Sequence, residues 1–199
     1  PALGNVSGDP AGTQAATITL MGFWAAGAAI LMLLVAGQTM AYSRRLMRHL
    51  APAPDHIMRI FRRQQEALKT HRGALYLCDV ITTPGVFGAW RPKILLPRTL
   101  ADATDEHALS CVLAHELAHI KRFDLMVSWA ATLLTCVYWF HPAVWLANLK
   151  MRREREMACD DAALLATGRE GREYAGTILR IAEGFSERVP AGVGLLGLL

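Results

Sequence analysis

The chain has 199 residues, with 21 Lys+Arg against 17 Asp+Glu for a formal charge of +4, 53% apolar residues and 19% charged ones. That balance excludes a disordered tail, and a mean hydropathy of +0.24 points toward membrane segments. The net charge is small and its basic residues are scattered, so direct nucleic-acid binding is not expected. Four cysteines (Cys78, Cys111, Cys136 and Cys159) stand far apart without a C-x-x-C pair. They read as small buried hydrophobes, not as a zinc ribbon or a disulfide scaffold. The chain opens at Pro1 and closes in GVGLLGLL, and both ends are expected to be internal to a longer protein.

Residues 1–14 are rich in Gly, Pro, Ala and Ser and read as a flexible lead-in. Ala15 to Tyr42 carries no charged residue, and about 20 apolar residues suffice to cross a ~30 Å hydrocarbon core. A signal peptide would have a shorter apolar run with basic residues before it. Here Arg44, Arg45 and Arg48 come after, so residues 15–42 are predicted to be a transmembrane helix whose C-terminal end faces the cytoplasm. Residues 43–73 form a basic linker or helix, read as a solvated cytoplasmic face near anionic lipid. Short apolar runs then alternate with turn residues: ALYLCDVI, TTPG, VFGAW, RP, KILLP. They predict a small sheet.

From about Leu100 the pattern becomes helical, with Asp102, Thr104 or Asp105 available as a cap and Lys121 and Arg122 at the far end. Within it stands His115-Glu116-Leu117-Ala118-His119, an H-E-x-x-H sequence. One helical turn places the two imidazoles on one face, where they can grip a single ion. Such a pair supplies two of three protein ligands to a catalytic zinc, and Glu116 is placed to take a proton from water. Composition alone would produce about 0.01 copies of this pattern, so two unrelated surface histidines are the weaker reading.

His119 is followed by IKRFDL, which excludes the H-E-x-x-H-x-x-G-x-x-H continuation of the metzincins. The third ligand is then expected among Glu154, Glu156, Asp160 and Asp161 on a later helix. Glu156 and Asp160 share a face; one could bind metal while the other orients a ligand imidazole. Composition by itself would favour a solvated face of ion pairs there. If Glu156 meets His119, the uncharged run from Leu125 to Leu149 must double back. Phe140-His141-Pro142 is the natural turn. The limbs, Leu125–Phe140 and Pro142–Glu156, would be ~24 Å and ~21 Å long. Basic residues at both ends of the run favour a hairpin, 123–155, that dips into the membrane from the cytoplasmic side over a buried soluble one.

The strings PGVFGAWRPKILLP, LAHELAHIKRFD and WFHPAVWLANLKMRREREMACDD, in that order over roughly residues 75–182, resemble the membrane zinc metallopeptidase region of the bacterial BlaR/MecR-type antirepressor family. The resemblance implies a gluzincin: Zn2+ on His115, His119 and Glu156, Glu116 as general base, and Asp160 as the acid that holds a ligand histidine. It also implies a cytoplasm-facing site and endoproteolysis. Beta-lactam sensing is not expected, because the chain ends before a penicillin-binding domain and has no S-x-x-K or K-T-G motif.

The expected architecture is therefore mainly α with a small β-sheet, an α+β zincin-like core. An N-terminal transmembrane helix and a membrane-associated hairpin anchor it as an integral membrane protein. Residues 74–186 form the peptidase domain, and the apolar tail 187–199 is the start of a further span. Tyr174 and Arg172 are candidate oxyanion stabilisers, with ordinary surface positions the stronger reading for both. VFGAW is a candidate edge for substrate addition. Cys159 is read as a buried thiol close to the pocket, and His49, His56, His71, His107 and His141 as surface, turn or capping residues. The expected function is regulatory proteolysis at the inner membrane of a bacterium by a multi-pass protein. Its expected partners are the lipid bilayer, a protein or peptide substrate such as a transcriptional repressor, and a second copy of the chain in a homodimer. The alternative is a receptor or scaffold whose metal site is structural or only self-cleaving.

Overall fold

A computed structural model describes residues 10–168 and Gly176. Its first element, α1 (Pro10–Met47), is 38 residues long, or about 57 Å. The best 18-residue window has a mean hydropathy of 2.2, yet only 11% of it is buried inside the protein. A soluble core helix of that composition would be covered; this one presents Ile18, Leu20, Phe23 and Leu33 to its surroundings. By length and composition it is a candidate membrane span. It extends the expected 15–42 segment by five residues at each end, so residues 10–14, expected in the lead-in, are its first turns.

The stretch 43–73, expected as a basic linker or helix, holds a helix and also a strand that periodicity did not expose. Leu50–Pro52 is a strand, β1, and Asp55–Ala67 is helix α2. Ile57, Ile60, Phe61 and Gln64 fall on one stripe of α2 and are buried, whereas Arg59, Arg62 and Arg63 are exposed. The solvated face was legible; the buried one makes this stretch part of the main hydrophobic core.

Three more strands complete one sheet: β2 (Ala74–Cys78), β3 (Gly85–Phe87) and β4 (Lys93–Pro97), in the order β1-β2-β4-β3. The central pair is parallel, with Leu75 opposite Ile94 and Leu77 opposite Leu96. Those four side chains face the helices and join the main core. Alternation turns Leu95 and Cys78 to the other face, where they pack with Leu46 at the end of α1. The membrane-length helix is thereby bolted to the sheet. β3 is an edge strand, antiparallel to β4; with Gly88 at φ +90° the strand stops at Phe87, three residues before the end of the expected VFGAW run.

After α3 (Arg98–Ala103), helix α4 (Glu106–Lys121) runs through the centre, with Cys111, Leu113, Ala114, Leu117 and Ala118 fully buried. Of the three expected caps, Asp105 is the one used: its carboxylate accepts from the Ala108 N–H at 2.6 Å. Phe123 then adopts a left-handed conformation (φ 59°, ψ 31°) and reverses the chain into α5 (Asp124–Val137). The turn falls at Tyr138–His141, and Pro142 opens α6 (Pro142–Thr167) at its first position, where its missing N–H costs nothing. The outgoing limb is shorter than expected, ~21 Å, because α5 stops at Val137.

This hairpin lies alongside α1. Trp24 donates to the Val137 carbonyl at 2.8 Å, the Trp139 indole meets Gly27 and Phe23, and Val35 packs with Cys136 and Trp145. Its other surfaces expose Trp129, Leu133, Leu134, Phe140 and Leu146, an apolar exterior continuous in character with α1. All four cysteines are free and buried.

Candidate metal centre

The buried centre of α4 surfaces at one place, where His115 and His119 emerge one turn apart. Their Nε2 atoms are 3.2 Å from each other, with the rings edge to face. The return limb of the hairpin carries Glu156 to the same point: its Oε2 is 3.5 Å from His115 Nε2 and 3.8 Å from His119 Nε2. Glu154 and Asp161, the other carboxylates open to choice, lie exposed on α6.

Each imidazole is also held from behind. Asp160, one turn beyond Glu156, places Oδ1 2.9 Å from His115 Nδ1, within ion-pair distance though off the direction of a hydrogen bond. His119 Nδ1 donates to Asp124 Oδ2 at 2.9 Å. With Nδ1 facing a carboxylate in both rings, the ring protons belong on Nδ1 and the Nε2 lone pairs converge. Two lone pairs and a carboxylate at such distances repel one another unless a cation lies among them. A four-coordinate zinc with N and O ligands at ~2.0–2.1 Å spaces those ligands ~3.3 Å apart, close to the triangle seen here. His115, His119 and Glu156 therefore fit a divalent metal of this type.

The titration behaviour of the metal-free site carries the same sign. Burial alone would lower His115, but the bond from Glu156 and the charges of Glu116 and Asp160 raise its proton affinity overall. Burial lowers His119 despite the Asp124 bond. Glu156 is held below the usual carboxylate range, mainly by His115. Glu116 is only 7% exposed, and desolvation pushes it up to about 7. In the metal-free site this carboxyl therefore holds its proton more tightly than an ordinary glutamate.

Asp124 was not singled out from the sequence. It is the lone acid between the Lys121-Arg122 pair and the charged block from Lys150, at the head of an apolar run, which is the signal that could have found it. Cys159, expected as a buried thiol by the pocket, is fully buried with its Sγ 3.3 Å from both His119 Nδ1 and Asp124 Oδ2. His49, His56, His71, His107 and His141 are all exposed. Tyr174, Arg172 and the tail 187–199 lie outside the described residues.

Two imidazoles a turn apart, a carboxylate from a second helix and a buried glutamate beside them define a metallopeptidase-like protein, with one helix of membrane-crossing length among the described residues. The chain belongs to the BlaR1 peptidase M56 family, whose profile matches residues 6–196. It is 35% identical over 109 residues to the regulatory protein BlaR1 of Bacillus licheniformis, covering 54% of this chain and 18% of that protein. It is 29% identical over 101 residues to the methicillin resistance mecR1 protein of Staphylococcus aureus, covering 50% of this chain and 17% of that one. The matched region thus spans less than a fifth of the length of these curated relatives.

Proposed function

We propose that this chain is the zinc-dependent endopeptidase module of a bacterial inner-membrane protein, acting on a protein substrate from the cytoplasmic side. The observation that carries this reading is the convergence of His115, His119 and Glu156, with an aspartate behind each histidine. Zn2+ held by those three residues would supply Lewis acidity, acidifying a water and polarising the scissile carbonyl. Glu116 accepts the water's proton on its carboxylate and passes it to the leaving amine. Asp160 keeps the His115 ring in the ligating orientation. The exposed edge of β3 can align an extended substrate segment by backbone pairing, since β3 has a neighbour on one side only.

The hairpin's apolar exterior and its packing along α1 support a membrane-dipping element that does not cross. Arg44, Arg45 and Arg48 after α1, with Lys121, Arg122 and Lys150 at the hairpin's base, support a cytoplasmic site. The Bacillus licheniformis relative is called a regulatory protein, which supports regulatory proteolysis, with a transcriptional repressor or a membrane-proximal protein as substrate.

The test uses the full chain in detergent or nanodiscs. Wild-type protein binds one zinc and cleaves a polypeptide in a chelator-sensitive way; Glu116→Ala keeps the zinc and loses cleavage. Zinc retention without chelator-sensitive cleavage in the wild type would replace the peptidase reading with that of a structural metal site.

A further inference from the structure

One heavily connected polar side chain beside the site is assigned by no motif. Asp124 is 4% exposed. Its Oδ2 takes the Nδ1 proton of His119 at 2.9 Å, accepts from the Cys159 thiol at 3.3 Å and lies 3.6 Å from Arg122 Nε. Its backbone is gripped as well: Arg155, the residue before Glu156, donates to the Asp124 carbonyl at 3.0 Å and also bonds Ser128 on α5. A buried carboxylate in such surroundings is costly unless each of these bonds is made.

Backbone geometry aims it. Asp124 is the first residue of α5, and the left-handed Phe123 just before it turns the chain sharply enough for this side chain to fold back onto the helix it has left. A non-glycine residue in that conformation is strained, and the Arg72 guanidinium stacks over the Phe123 ring, 4.5 Å from its centre. The reversal is held from both sides.

We infer that Asp124 is a positioning residue for the metal ligand His119, fixing the Nδ1–H tautomer so that Nε2 faces the ion, and that it joins this ligand to the base of the apolar hairpin. The inference rests on the zinc reading above. Because Asp124 begins α5 while Arg155 ties it to α6, the ligand histidine and the hairpin share one anchoring point. Asp124 touches neither Glu116 nor Glu156 among the described contacts, so its influence runs through His119.

The experiment is a competitive chelator titration of zinc on the full chain in nanodiscs, comparing wild type, Asp124→Ala and Asp124→Asn, with thermal unfolding of each metal-free protein alongside. Loss of an outer partner of this kind weakens metal binding by about 10- to 100-fold. Asp124→Ala is expected in that range. Asp124→Asn keeps the side-chain shape and one acceptor oxygen, and is expected to lose less. Both variants binding zinc as tightly as wild type, with only the metal-free melting temperature lowered, would overturn the inference and leave Asp124 a folding residue. If Asp124→Ala does not fold, the Asn variant decides: wild-type affinity overturns the inference and weakened affinity supports it. A wild-type chain that takes up no zinc overturns the metal reading itself, and this inference with it.

Discussion

Glu156 Oε2 lies 3.5 Å from His115 Nε2, one on α6, the return limb of the hairpin, and the other on the central helix α4. That proximity exists because α5 and the Tyr138–His141 turn carry the chain away and bring it back. A candidate ligand triad split across a hairpin in this way would make metal binding a property of the tertiary structure.

Removing Glu156 therefore opens the triad without touching the core, since its side chain is half-exposed. Glu156→Ala is expected to lower zinc affinity by more than the ~10–100-fold typical of an outer partner. Metal content after dialysis against a chelator series, with circular dichroism for fold, measures this.

Glu116 separates chemistry from metal binding. Glu116→Gln is expected to retain zinc and to cut the cleavage rate by about 10²- to 10⁴-fold, the usual worth of a positioned base. Parallel assays of metal content and peptide hydrolysis check it.

The same residue gives the metal-free protein a defined pH dependence. Its folded pKa is about 7 against an ordinary 4.5, so between those values the folded state holds a proton that the unfolded chain has released. The protonated form's advantage is complete below pH 4.5 and is lost as pH rises through 7. The difference is worth about 3 kcal/mol. Denaturation of metal-free wild type and Glu116→Gln across this range should show wild-type stability falling relative to the variant by that order.

In the core, Leu117 is fully buried on α4, two positions in sequence from both His115 and His119. Leu117→Ala is expected to cost ~2–5 kcal/mol of stability by leaving a cavity. Chemical denaturation of the metal-free chain reads this directly.

Leu133 is 51% exposed on α5. If the hairpin dips into the bilayer, a nitroxide at position 133 is relaxed by dissolved oxygen more than by a water-soluble nickel reagent. The opposite preference would place the hairpin in water.

Much of this was legible in the sequence because it is local. A charge-free run, a Pro after an aromatic, and His, Glu and His at helical spacing each depend on residues within a turn or two of one another. The apolar span, the two helical limbs and a histidine pair able to hold a metal came from such signals. Glu156 did not: spacing left four acids open, and only the resemblance singled it out. Strand β1 is three residues long and reads as linker, since its pairing partner is β2. The buried stripe of α2 was hidden by the arginines that occupy its other face.

Asp124 is the sharpest case. Nothing in the string IKRFDL says that Phe123 will turn left-handed, and without that turn the carboxylate would point away from His119. Short-range chemistry thus determined which helices form, which of them is apolar enough for lipid, and that two histidines can share an ion. Folding alone decided which acid completes the triad and which acids stand behind the imidazoles. Those choices depend on where a reversed chain returns, to within an ångström or so, and that is set by the packing of α4, α5 and α6 against one another.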